Sequence, residues 1–335
     1  MTPETRVAVI GAGSWGTTVA SIAARCAPTV LWARRPELAE SIARDRENAD
    51  YLPGETLPAA LEATDSLAEA AGDADLLIIG VPSHGFRAIL EELAPHVRDG
   101  TPVVSLTKGI ETDSLKRMTE VVADVLPGHP AGVLTGPNIA IEVVRGYAAA
   151  AVIAMEDPAL ADSLQDLLHT SVFRVYTNTD VVGAELGGAL KNVYAIAAGM
   201  AQGLGAGDNT RATVITRSLR ELSVLGEAAG GRHETLSGLA GMGDLLATCI
   251  SPRSRNRTVG EELAKGRTLD EIQKEMRMVA EGVKTAPAAM RMAEQFGVNL
   301  PIAAEIDAVI KGERTPEEAY RGLQRRDPQS ELVPG

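Results

Sequence analysis

Short, continuous apolar runs punctuate the first half of the chain: Val7–Ile10, Thr29–Trp32, Leu76–Val81, Val103–Leu106, Val133–Leu134, Ala148–Ala154 and Val172–Tyr176. Runs that do not alternate with polar residues belong to strands buried on both faces. Helix-start signals lie between them. Ser66 with Glu69 fits a capping box, and Asp157 followed by Pro158 fits an N-cap with proline in the first helical position. Strand–helix–strand repetition predicts an α/β fold with a parallel, doubly wound sheet. After about Asp180 the strand signals stop. Val181 to Gly205 predicts a long helix rich in alanine and glycine, whose small residues permit close packing, and Thr210 to Gly226 predicts another. Thr268 with Glu271, and Thr315 with Pro316 and Glu318, mark further helix starts. The second half is therefore all-helical, and the polar tail from Asp327 is expected to fray.

Composition narrows the function classes. Aromatic residues make up only 3% of the chain, so Ala, Val, Leu and Ile must fill the core, and a base-stacking nucleic-acid surface is not expected. The formal net charge of -13 repels phosphate backbones and anionic membranes. An acidic protein that binds a small anion must gather its basic residues locally. Cys26 and Cys249 lie far apart and outside any metal-ligand spacing, so free thiols in a reducing compartment are expected, with no metal. No signal peptide is visible, and the longest apolar stretches are too short to span a bilayer. A cytoplasmic protein, not membrane-embedded, is the expectation.

The first strand runs into Gly11-Ala-Gly13-Ser14-Trp15-Gly16, and a helix signal follows. This G-x-G-x-x-G sequence, in strand–turn–helix context, is the dinucleotide fingerprint of a Rossmann-type domain. Gly11 permits the tight turn, Gly13 lets a pyrophosphate approach the backbone, and Gly16 lets helix and strand pack. The helix's unsatisfied N–H groups then face the phosphates. The second strand ends in Ala33-Arg34-Arg35 where an acid would bind the ribose 2′-hydroxyl. Arginines there suit a 2′-phosphate, or they begin a solvated helix. NADP(H) or NAD(H) is the expected cofactor. The predicted domains are residues 1–183, binding the dinucleotide, and 184–335, helical and binding substrate.

Several segments put reactive polar residues in small or apolar surroundings. Gly80-Val-Pro-Ser83 and Ser105-Leu-Thr-Lys108-Gly109 follow predicted strands, at the carboxyl edge where ligands of open α/β sheets bind. Lys108 is a cation for an anionic substrate or an ordinary exposed lysine. Lys191 sits in an apolar helix, where a lysine needs a partner or a lowered pKa, or snorkels to solvent. Either of the first two conditions suits proton transfer to an alkoxide forming at a ketone. Asp244, flanked by glycine, orients a lysine or caps the next helix. Arg253, Arg255 and Arg257 crowd one stretch of an acidic chain, with Ser254 and Asn256 between them. That is a phosphate clamp or a solvated basic turn, which Glu261 and Glu262 would neutralise.

Taken together, these segments resemble bacterial NAD(P)-dependent glycerol-3-phosphate dehydrogenases. The motifs, in the family's order, are GAGSWGTTVA, YLPG, VPSH, SLTKGIE, LTGPNIAIEV, ELGGALKNVYAIAAG, GDNTRATVITR, GLAGMGDLLATC, SRNRTVG and VAEGVKTA, and they cover most of the chain. The resemblance implies that Lys191 is the catalytic lysine, donating a proton in reduction and accepting one in oxidation. It implies that Lys108, Gly136, Asn138, Lys191, Asp244, Ser254, Arg255 and Asn256 hold the substrate, dihydroxyacetone phosphate or sn-glycerol 3-phosphate. Beside Gly11, Gly13 and Gly16, it implies cofactor contacts from Ser14, Trp15, Arg34, Arg35, Tyr51, Lys108, Ala140, Arg255, Val279 and Glu281. Many relatives carry Ser or Thr where this chain has Asn138, whose amide still offers donors and an acceptor. The resemblance further implies a cytoplasmic homodimer in glycerophospholipid synthesis.

Two rival readings share part of this pattern. Hydroxyacid dehydrogenases and ketopantoate reductases join a Rossmann domain to a helical domain with a helix-borne Lys-Asn pair, but Ser254-Arg255-Asn256 favours a phosphorylated substrate. A non-catalytic NAD(P)H sensor needs Gly11 to Gly16 yet has no use for Lys191 beside Asp244. Finding those two side chains apart would favour the sensor.

Overall fold

The computed structural model describes residues 5–276 and 279–324. The tail from Asp327 lies outside them. The chain divides into two compact units. The first comprises the chain up to Thr107 together with Met118–Val181. The second comprises Lys108–Arg117 together with the chain from Val182.

The first unit is an eight-stranded sheet in the order β3-β2-β1-β4-β5-β6-β7-β8. Its strands are β1 Val7–Ile10, β2 Thr29–Trp32, β3 Leu61–Thr64, β4 Leu76–Ile79, β5 Val103–Ser105, β6 Ala131–Thr135, β7 Ala149–Met155 and β8 Phe173–Asn178. Every residue of β1 and β4 is buried, as continuous apolar runs require. Alternate residues serve opposite faces. Val7 and Val9 join one core with Leu31 and Ile78, while Ala8 and Ile10 join the other with Leu77 and Phe86.

The sheet departs from the expected pattern in two places. It has an extra strand, β3, whose Leu-Glu-Ala-Thr sequence shows no apolar run. β3 is an edge strand, and Glu62 projects to solvent. The sheet is also not wholly parallel, because β7 runs antiparallel to β6 and β8 parallel to β7. The connection from β6 to β7 holds only the short helix Ala140–Val144. Those five residues span roughly 7.5 Å, so the connection lacks the long helix that usually carries a parallel crossover. The strand order reverses between β1 and β4, and the Gly11 loop leaves the sheet at that switch point.

Capping confirms most of the helix starts. Asp157 accepts from the Ala159 N–H with Pro158 in the first turn, and Thr268 and Glu271 form a reciprocal box. Thr315 and Glu318 exchange the same two bonds. At Ser66 the box is rerouted. The Ser66 hydroxyl accepts from the Glu69 N–H, but Thr64 Oγ1 takes the Ser66 N–H and donates to the Glu69 carboxylate.

The second unit is helical among its described residues. Its centre is the helix Val181–Gly203, in which Ala184 and the residues from Leu186 to Ile196 are almost all fully buried. Small residues make this possible. A Cβ on Gly199 would lie 2.0 Å from the Arg257 carbonyl oxygen, and one on Gly260 would lie 2.1 Å from that of Ile196, so this helix and Arg255–Ala264 meet backbone to backbone. No described helix is long and apolar enough to cross a membrane.

Candidate active site

The glycine loop occupies the first unit. Gly11 has φ +119°, and a Cβ there would lie 2.7 Å from the Gly80 carbonyl oxygen of the neighbouring strand's turn. A Cβ on Gly16 would lie 2.0 Å from the Gly11 carbonyl oxygen, whereas one on Gly13 would meet open space. Gly11 and Gly16 thus serve internal packing, and Gly13 serves what lies outside. No side chain caps the helix Ser14–Ala23, and its first internal bond is from Thr17 N–H to Gly13 C=O. The N–H groups of Gly13, Ser14, Trp15 and Gly16 find no acceptor among the described residues. Indole Nε1 of Trp15 is likewise buried without a partner. An open glycine face lined by orphan donors at a helix N-terminus fits a pyrophosphate.

At the end of β2, Arg35 pairs with Asp50, while exposed Arg34 pairs with no acid among the described residues. Tyr51 is half-buried, and its N–H donates to the Asn48 carbonyl. The Ala140 carbonyl accepts a long bond of 3.4 Å from Thr18 Oγ1. After β6, Gly136 adopts φ +127°, and Asn138 Nδ2 donates to the Ala150 carbonyl at 3.0 Å. Asn138 Oδ1 is buried without a partner.

The second unit gathers an ion cluster. Lys191 Nζ lies 2.5 Å from Asp244 Oδ1, and Lys108 Nζ lies 2.7 Å from Asp244 Oδ2. The Asp244 side chain is only 2% exposed and that of Lys191 8%. Two ammonium groups therefore share one carboxylate, with little solvent to screen the Lys191–Asp244 pair. Backbone geometry aims the acid. Leu239–Gly243 forms a π-helical turn, and Asp244 opens the helix Asp244–Ile250 directly after it. Gly187 lets that turn approach, since a Cβ there would lie 2.7 Å from the Ala240 carbonyl oxygen. Lys191 stands one helical turn beyond Gly187 and so meets Asp244. Burial pushes the Lys191 ammonium down to about 8, against the opposing pull of Asp244.

Two residues that were not singled out as site residues complete the cluster. Thr248 Oγ1 accepts from Lys191 Nζ at 2.8 Å and donates to the Asp244 carbonyl at 2.6 Å. Its place four residues after Asp244 was the available signal. Asn192 Nδ2 donates to the Lys108 carbonyl, Asn256 Nδ2 donates to Asn192 Oδ1, and Asn256 Oδ1 accepts from the Gly282 N–H. This amide chain ties the segments carrying Lys108, Lys191, Asn256 and Glu281 into one frame.

Ser254 caps the helix Arg255–Ala264, so Ser254, Arg255 and Asn256 occupy a helix start. Glu261 neutralises Arg257 alone, and Glu262 pairs with Lys265 and Arg267. Arg255 remains exposed, and its Nη1 donates to the Val279 carbonyl at 2.7 Å.

Lys191 and Asp244 are together and buried, not apart as would favour the sensor, and comparison with known proteins decides the family. The model described as NAD-dependent glycerol-3-phosphate dehydrogenase N-terminus matches residues 6–161, and its C-terminus counterpart matches residues 180–321. The chain belongs to the NAD-dependent glycerol-3-phosphate dehydrogenase family. It is 56% identical over 330 residues to glycerol-3-phosphate dehydrogenase [NAD(P)+] 2 of Sphingopyxis alaskensis, covering 98% of this chain and 99% of that one. The corresponding enzyme of Mycobacterium avium is also 56% identical, with 98% and 97% covered. The crystal structure of glycerol-3-phosphate dehydrogenase from Coxiella burnetii superposes with a TM-score of 0.93 at 33% identity, covering 96% of this chain and 99% of that one.

Proposed function

We propose that the chain is an oxidoreductase that reversibly reduces dihydroxyacetone phosphate to sn-glycerol 3-phosphate with NAD(P)H, supplying glycerophospholipid synthesis. The observation that carries this reading is the buried Lys191–Asp244–Lys108 cluster in a chain of this family. When bound, NAD(P)H supplies the hydride that reaches C2 of the ketone. The Gly11–Gly16 loop, with Ser14, Trp15, Arg34, Arg35, Tyr51 and Ala140, holds the dinucleotide. Lys108, Arg255, Val279 and Glu281 belong to the same proposed set. Ser254, Arg255 and Asn256 hold the substrate phosphate at a helix start, where backbone N–H groups and the guanidinium favour an anion. Gly136 and Asn138 complete the substrate's holders. Lys191 Nζ gives its proton to the carbonyl oxygen as C2 is reduced, and Asp244 with Thr248 holds that ammonium in place. Lys108 adds positive charge where the alkoxide develops. Fixing both ligands removes part of the entropic barrier. A cytoplasmic homodimer belongs to the same reading, and sedimentation at twice the 35.1 kDa chain mass checks the dimer.

Reversibility gives the test. sn-Glycerol 3-phosphate added with NADP+ or NAD+ is expected to generate the reduced cofactor, and unphosphorylated glycerol at the same concentration is not. Equal rates with the two would contradict a phosphate-holding site, and turnover of 2-keto acids alone would favour the ketopantoate-type reading. Arg34 offers a separate prediction, because it is the unpaired cation at the end of β2. Arg34→Ala is expected to raise the KM for NADPH about tenfold, the scale of one charged hydrogen bond, and to leave that for NADH nearly unchanged. An equal effect on both cofactors would remove Arg34 from 2′-phosphate recognition.

A further inference from the structure

Asn48 is fully buried in the first unit, in the loop that follows the helix Pro36–Asp45. Its side-chain amide reaches back across the fold and spends both donors on the glycine loop. Nδ2 donates to the Ala12 carbonyl at 2.9 Å and to Thr17 Oγ1 at 2.8 Å. The backbone carbonyl of the same residue accepts from the N–H groups of Tyr51 and Leu52. One residue thus ties together the Gly11–Gly16 turn, the first turns of the helix behind it, and the Tyr51 turn.

The bond to Ala12 has a consequence for ligand binding. The Ala12 C=O and the Gly13 N–H belong to one peptide plane, and in a trans peptide they point in opposite directions. The chain has no cis peptide bonds. Holding the carbonyl on Asn48 therefore turns the Gly13 N–H away from Asn48; that N–H finds no acceptor among the described residues, and a Gly13 Cβ would meet nothing within 4 Å. Glycine on both sides of Ala12 would otherwise leave this plane free to rotate, because Gly11 and Gly13 impose little torsional preference. The bond to Thr17 fixes the plane's distance from the helix whose own orphan donors share the anion. Asn48 itself is held by its loop. Leu57 N–H donates to the Arg46 carbonyl, Glu47 bridges Thr56, and the Gly54 N–H donates to Glu47 Oε1.

We infer that Asn48 is a positioning residue that presets the Gly13 peptide plane for the cofactor's pyrophosphate and couples it to Tyr51. The inference rests on the proposed dinucleotide site but not on the identity of the substrate, so its test is binding. In the full-length chain, Asn48→Leu keeps the side chain's size and removes its donors. The dissociation constant for NADPH, measured by the change in nicotinamide fluorescence without substrate, is expected to rise about tenfold or more, on the scale of one or two lost buried hydrogen bonds. At saturating NADPH, kcat and the KM for dihydroxyacetone phosphate are expected to stay close to wild type. A role confined to stability would lower the melting temperature and the active fraction and leave the dissociation constant of the folded protein unchanged. Thr17→Val removes one acceptor at nearly constant volume and serves where Asn48→Leu fails to fold; a smaller loss of NADPH affinity in the same direction is expected. Wild-type affinity in folded Thr17→Val and folded Asn48→Leu would overturn the inference. Wild-type chain that binds NADPH but turns over no dihydroxyacetone phosphate would instead overturn the proposed reaction and leave this measurement intact.

Discussion

Lys191→Ala is expected to lower kcat for dihydroxyacetone phosphate reduction by about 10³-fold, the scale of a positioned general acid, while NADPH affinity stays nearly unchanged. The variant is expected to fold, because Asp244 keeps Lys108 at 2.7 Å and no buried charge is left alone. Stopped-flow binding of NADPH and steady-state turnover, measured on the same preparation, check the two halves of the claim. An alanine variant that turns over at wild-type rate would remove Lys191 from proton transfer.

Asp244→Asn acts on the same proton by a different route and strains the fold as well. Losing the carboxylate leaves the buried Lys191 ammonium facing a neutral amide, a loss on the order of 3–5 kcal/mol of stability. It also moves the pH dependence. Reduction needs Lys191 protonated, so its rate falls as pH rises through the lysine's pKa of about 8, and oxidation rises over the same interval. The Asp244 charge is what opposes burial and holds that pKa up. Without it the pKa drops further, so the falling limb of the reduction profile moves to lower pH, and activity at neutral pH falls with it. The full profile of kcat against pH, in wild type and variant, is the check. A limb that stays in place or moves to higher pH would mean that Asp244 does not support the ammonium.

Much of this was legible in the chain because the relevant signals are local. β1 and β4 are unbroken apolar runs, and Gly11 to Gly16 announce a turn that backbone sterics then enforce. The capping residues Asp157, Thr268 and Thr315 act within a few residues of themselves and bond as their spacing predicts. What was not legible depends on tertiary context. β3 carries no apolar pattern because an edge strand with Glu62 in solvent needs none. The antiparallel entry of β7 comes after a connection whose helix is only five residues long, which run-counting does not register. Lys108 follows a strand of the sheet, yet it packs with the helical unit, because Asp244 and Asn192 claim its side chain and carbonyl there. Asn48 reads as one polar residue in a polar loop, and only the fold brings its amide 36 positions back to Ala12.

The measurement that tests the account most directly is the absorbance of NADPH, and separately of NADH, on adding dihydroxyacetone phosphate to the purified chain. Rapid oxidation of at least one cofactor, with sn-glycerol 3-phosphate as product, is the expected result. A protein that binds NADPH yet oxidises neither cofactor in the presence of that ketone would contradict it.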